Sequence, residues 1–335
     1  MNGLRTLDGF VLPDRHRAWV WRTGNDPLAL QQAEIPLSAP AAGEVLVRNE
    51  AVGLNPVDWK VLGMPGWQPD HVPGVDGAGR VVALGEGVPA GWLGQAVAYH
   101  QDLQRDGSFA SFTRIRARGL IRRPPGLTAT LASATPCPGL TAWQALEKLP
   151  PARGRRLLVS GAGGTVAHFL VQLARARGFE VHAMSHPRHA ERLQGLGAIA
   201  CHSGPRPPAA LRFHAIIDCV GVSSARMLAD SLLASGQLVC IQGRLPEWPC
   251  APFGRALSLH EVALGALHHE GSDEAWAELI AAAEHILFAN LADGRLAAPA
   301  LREAGFDELP ALLAGLRDGS LPGKTVLQLA PPPAS

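Results

Sequence analysis

A chain of 335 residues exceeds the usual single hydrophobic core, which predicts two domains and room for a buried site. With 47% hydrophobic residues, 18% charged residues and a formal net charge of +1, it reads as globular, with no electrostatic case for nucleic acid or an anionic membrane surface. Five cysteines, odd in number and without a CxxC pair, fit reduced thiols, and no window approaches roughly 20 uninterrupted apolar residues, so neither a disulfide scaffold nor a membrane span is expected.

The N-terminus mixes Arg5, Asp8, Asp14 and Arg15 into its apolar residues and lacks a signal-peptide core, so the expected location is the cytoplasm. From Val45 to about Arg123, short and often alternating apolar runs (EVLVRNEAVGLN, GAGRVVALG, GQAVAYH, SFASFTRIRA) are broken by Gly and Pro, which predicts an irregular β domain. At PPGLTATLA, residues 124–132, proline punctuation gives way to helical spacing, and CPGLTAWQALEKL reads as a helix entering a second domain. RLLVSGAGGTVAHFLVQLARARG, residues 156–178, is then strand, glycine turn and helix, with Val166, Phe169, Leu170 and Leu173 at helical spacing. FEVHAMS, HAERLQGLG, AIACHS, FHAIIDCVG, SSARMLADSLLASG and GQLVCIQG continue the alternation that a doubly wound parallel sheet requires. Two amphipathic helix patterns, 274–288 and 306–316, lead to a return strand, GKTVLQL, expected to complete the first domain, and APPPAS is expected as a disordered tail. The fold class is therefore α/β: a β-rich domain from residues 1–125 and 266–335, and a Rossmann doubly wound domain from 126–265.

Glycines at Gly161, Gly163 and Gly164 free the turn from Cβ clashes, and the helix they open presents unpaired N–H groups and the positive end of its dipole. Such a turn suits a pyrophosphate, and the expected contacts are Gly161, Ala162, Gly163, Gly164, Thr165 and Val166. A carboxylate closing the second strand would accept from the 2′-hydroxyl of NAD; Ser185 stands there, no acid lies between Val181 and Ala190, and Arg188 opens the next helix beside His186 and His189. A hydroxyl and a guanidinium suit a 2′-phosphate, so NADPH is the expected cofactor. Val220 and Gly221, and Ile241 to Gly243, sit at strand C-terminal ends, where open sheets bind ligands, and are expected near ribose or nicotinamide.

Taken together, GLNPVDWK (53–60), VPGVDGAGRVVALGEGV (72–88), GSFASF (107–112), CPGLTAWQAL (137–146), the GAGGTVA loop and GKTV (323–326) resemble the medium-chain dehydrogenase/reductase superfamily, and within it the zinc-independent quinone oxidoreductase branch that includes zeta-crystallin. The resemblance spans nearly the whole chain. It implies a GroES-like catalytic domain formed by both chain ends, an inserted Rossmann domain, an active site in the cleft and a homodimer. The zinc alcohol dehydrogenases of the superfamily bind metal through a cysteine where this chain has Asn55 and a His-Glu pair where it has Val75 and Asp76, so no metal is expected. Thr165 and Ala167 depart from glycines common in the branch.

The resemblance further implies hydride delivery to a quinone, enone or related conjugated carbonyl, with Asn55 and Asp58 at the nicotinamide end and Thr141 against the nicotinamide. Asn55 can donate to a developing oxyanion, or serve its turn before Pro56; Asp58 is catalytic, or orders Lys60 or nearby backbone. Tyr99, the only tyrosine, with His100, is a candidate proton donor, or caps a strand end. Trp59, Trp67 and Trp143 are an apolar wall for a flat substrate, or core. A short-chain reductase would need a lysine about four residues after its tyrosine, where Leu103 stands. The competing class is a protein that binds NADPH in a structural or redox-sensing role with little turnover.

Overall fold

The computed structural model describes residues 4–151 and 153–329; the APPPAS segment lies outside them. Two compact units emerge, one formed by the chain up to Cys137 and again from Gly265, the other by Pro138–Leu264. The first boundary falls well past residue 125 because the helix Ala129–Ser133, whose Leu131 N–H donates to Thr128 Oγ1, belongs to the β-rich unit. Ala134 shares a small core with Ala51 and Val326, and a Cβ at Gly53 would stand 2.2 Å from the Ser133 carbonyl oxygen.

The β-rich unit is built on an eight-stranded sheet whose central strand, Glu44–Gly53, is buried almost throughout. Val45, Leu46 and Val47 are fully enclosed, paired on both edges and packed into apolar clusters on the two faces, and each such side chain contributes about 1.5–3 kcal/mol. Two strand registers bring residues distant in sequence together. The antiparallel strands Asp76–Leu84 and Ala96–His100 set Asp76 opposite His100 and Gly77 opposite Tyr99. The return strand Lys324–Gln328 runs antiparallel to Glu44–Gly53 with Val326 opposite Gly53, which brings Lys324 to the residues just after Gly53.

The second unit is a six-stranded parallel sheet in the order Ala200–His202, Glu180–Met184, Arg156–Val159, Phe213–Asp218, Leu232–Cys240, Ser258–Glu261. This is the Rossmann order, with the reversal beside the first strand. Leu157, Leu158 and Val159 are fully buried, as an apolar run in a two-sided parallel sheet must be, and the helix Thr165–Ala176 buries Phe169, Leu170 and Leu173. Leu232–Cys240 begins earlier than its apolar run indicated, since Leu232 joins the core with Phe213 and Leu228; the extra length is accommodated by a register shift between Phe213 and Ala215. No described helix is long and apolar enough to cross a membrane.

Candidate functional site

In the β-rich unit, Asn55 lies two residues past the central strand and caps the short helix Pro56–Lys60, with Pro56 preset for the first turn. Asp58 faces back: its Oδ2 accepts from Asn55 N (2.7 Å) and its Oδ1 from Val75 N (3.1 Å). The Asn55 side chain is held on every side. Lys324 Nζ donates to Asn55 Oδ1 (2.6 Å) and to the Leu54 carbonyl (2.9 Å), while Asn55 Nδ2 donates to Gly53 O (3.2 Å) and Asp76 Oδ2 (3.0 Å). An ammonium can only donate, so the amide orientation is fixed. Asp76 also accepts from Cys137 N and lies 2.9 Å from His100 Nδ1, with Lys324 Nζ 3.9 Å away. Asn55, Asp58, Asp76 and Lys324 are all buried.

Three expectations change on this geometry. Both Asn55 amide hydrogens are committed, so the side chain has no donor left for an oxyanion. Asp58 orders the backbone of Asn55 and Val75; burial pushes its carboxyl up to about 7, against the pull of the Asn55 N–H. Tyr99 is fully enclosed among Val45, Val47, Val81 and Val97, with its hydroxyl 2.7 Å from Asn49 Oδ1 and 3.0 Å from Thr113 Oγ1. Burial pushes that phenol well above its ordinary value, and Tyr99 is withdrawn as proton donor. Trp67 is core, its indole donating to Leu103 O (2.8 Å) and its ring stacked 4.0 Å from His71. Trp59 and Trp143 are half-buried.

In the Rossmann unit, Gly161 adopts φ +61°, and a Cβ there would stand 3.1 Å from Val220. Ala162 is taken up by the fold, its N–H donating to Met184 O (2.9 Å). Gly164 caps the helix Thr165–Ala176 without a side chain, so no side-chain cap competes for the first-turn amides. Across from the loop, buried Asp218, which the motif reading missed, accepts from Ser160 Oγ (2.6 Å), Ser224 Oγ (2.6 Å), Val220 N (3.2 Å) and Gly221 N (2.8 Å). The Val220 and Gly221 amides are therefore committed internally. Ile241 N bonds Asp218 O (3.0 Å), and Gly243, at φ +110°, lies near Val222. Asp218 thus gathers Val220, Gly221 and Ile241, while Thr141 sits buried in the helix Pro136–Glu147.

Ser185, at the end of the second strand, bonds its own turn through His186 O (3.1 Å). Arg188 is exposed, its Nε 3.2 Å from His189 Nε2. Arg192, also missed, reaches the loop: its Nη2 donates to Ala162 O (3.3 Å) and Gly163 O (3.2 Å).

The alcohol dehydrogenase GroES-like domain model matches residues 41–132. A chloroplast envelope quinone oxidoreductase homolog of Arabidopsis thaliana is 30% identical over 239 residues, covering 65% of this chain and 72% of that protein. The chain belongs to the quinone oxidoreductase branch of the medium-chain dehydrogenase/reductase superfamily. Bovine prostaglandin reductase-3 is 30% identical over 62% of this chain and 57% of its own length. An alcohol dehydrogenase superfamily protein from Novosphingobium aromaticivorans, 27% identical, superposes with a TM-score of 0.81 over 94% of this chain and all of that one.

Zinc is a group the wider superfamily implies, and the residues can be tested for it. Asp76, His100 and Cys137 place their ligand atoms within 4.8 Å of one another, a trio that comparison of Asn55, Val75 and Asp76 alone did not reveal. The trio does not suit a divalent ion. Asp76 already accepts from His100, Asn55 and the Cys137 backbone N–H, and an ammonium stands 3.9 Å from it, so an ion would have to displace these donors and sit beside a positive charge.

Proposed function

We propose that this chain is a metal-independent, NADPH-dependent oxidoreductase that reduces a quinone, an enone or a related conjugated carbonyl. The observation that carries the reading is the glycine loop of the Rossmann unit, lined by His189 and Arg192, with Arg188 donating to His189 and no acid closing the second strand. The loop fits the cofactor: Gly163 has no Cβ where one would meet the His189 ring at 2.9 Å, and the uncapped first turn of Thr165–Ala176 offers amides to a pyrophosphate.

When bound, reduced nicotinamide supplies the hydride. Thr165 and Val166 bind the pyrophosphate through backbone N–H, Ser185 and the basic cluster take the 2′-phosphate, and Thr141 orients the nicotinamide. Val220, Gly221, Ile241 and Gly243 shape the wall beside it. Asn55 and Asp58 set the backbone, with Lys324 as buried positive charge. Reduction also consumes one proton. His100 replaces Tyr99 as its source: its Nδ1–H is held by Asp76, and as imidazolium it gives up the second proton from Nε2. Cytoplasm suits five free cysteines, and the assembly is a homodimer.

The test is consumption of NADPH by the purified chain with a panel of quinones, enones and aldehydes. Turnover above the rate without protein supports the reading. Tight NADPH binding without turnover would favour a cofactor-binding role instead.

A further inference from the structure

Arg192 lies in the helix Ala190–Gly195 and is half-buried, its guanidinium braced by the carbonyls of Ala162 and Gly163 and 3.4 Å from His168 Nδ1. None of these contacts neutralises its charge, and no carboxylate pairs with Arg192 among the described residues. They occupy three of its five N–H groups, leaving two for a ligand. His189 stands against Gly163 and receives the Arg188 Nε–H. Burial lowers the His189 pKa, and Arg192, Arg188 and His186 lower it further, with no acid offsetting them. A partly buried cation without counter-ion is costly, and a dianion removes that cost with charge-assisted bonds.

We infer that Arg192, backed by His189, is the specificity-determining cation for the phosphate monoester on the cofactor's adenosine ribose, ahead of Arg188. Arg192 is already oriented, whereas exposed Arg188 must lose rotamer freedom to bind. The inference rests on NADPH being the cofactor, as proposed above.

Calorimetry with NADPH, NADH, 2′,5′-ADP and 5′-AMP on the unmutated chain and on Arg192→Gln, Arg192→Lys and Arg188→Gln tests it. Arg192→Gln should weaken NADPH and 2′,5′-ADP by about tenfold or more and change NADH and 5′-AMP by less than about twofold; Arg192→Lys should recover part of the loss, and Arg188→Gln should cost less than about threefold. Equal losses for the phosphorylated and unphosphorylated ligands would make Arg192 a brace of the loop only, and a larger loss from Arg188→Gln would move the role to that residue; either overturns the inference. An unmutated preference for NADPH that survives in Arg192→Gln overturns the inference alone. An unmutated chain without that preference overturns the proposed cofactor and the inference with it.

Discussion

The cluster around Asp76 and the loop around Gly163 are both rich in charge, yet the first is saturated and the second is not. In the β-rich unit every hydrogen of the Asn55 amide has a partner, and Lys324 offsets Asp76 at 3.9 Å. In the Rossmann unit Arg188 and Arg192 find only neutral acceptors among the described residues. A saturated buried network is a scaffold whose members are costly to remove singly, while uncompensated basic side chains around open backbone amides are a site whose missing partner is a ligand.

Four changes break or sharpen that contrast. Lys324→Met strands Asp76 without its cation and should cost about 3–5 kcal/mol in denaturant unfolding. A loss below about 1 kcal/mol would mean that the cluster is not a charge-balanced unit. His100→Gln should lower turnover of an enone about a hundredfold while leaving the NADPH dissociation constant unchanged; unaltered turnover would place the proton source elsewhere. Tyr99→Phe should destabilise by about 1–3 kcal/mol and leave turnover intact, since it strips the buried Asn49 Oδ1 of the hydroxyl beside it while Asn49 Nδ2 and Thr113 keep their bond to each other. A collapse of turnover in a folded Tyr99→Phe protein would return that hydroxyl to the chemistry.

The smallest effect is a pH slope. The Asp58 carboxyl, raised by burial from 3.8 to about 7, binds more protons in the folded chain than in the unfolded one between those values. Its contribution is therefore fully present below about pH 3.8 and is lost as pH rises through about 7, so unfolding free energy should fall across that window. Asp58→Asn should flatten the slope; an unchanged slope would assign it to other groups.

Much of the Rossmann unit was legible because each strand and helix carries its own apolar period, and the glycine turn announces itself. The β-rich unit was legible as a class, but its site was not. Lys324 meets Leu54 across 270 positions of chain, a partnership set by strand register, which no local motif encodes. Adjacency in sequence suggests one cleft for Tyr99 and His100, although neighbours on a strand point to opposite faces; Gly77, opposite Tyr99, leaves the room into which its ring turns. Asn55 and Asp58 stand out in sequence as neighbours, but their donors and acceptors can be counted only once Asp76, Val75 and Lys324 are in place. Arg192 is silent in sequence because the curvature of the loop, which turns the carbonyls of Ala162 and Gly163 toward the helix Ala190–Gly195, has no signature of its own.

The central claim, hydride transfer from NADPH without a metal, is met most directly by one measurement: NADPH oxidation by chelator-treated protein with enones and quinones, alongside elemental analysis. The account predicts undiminished turnover and no stoichiometric zinc. Turnover that vanishes on chelation and returns with added zinc would contradict it.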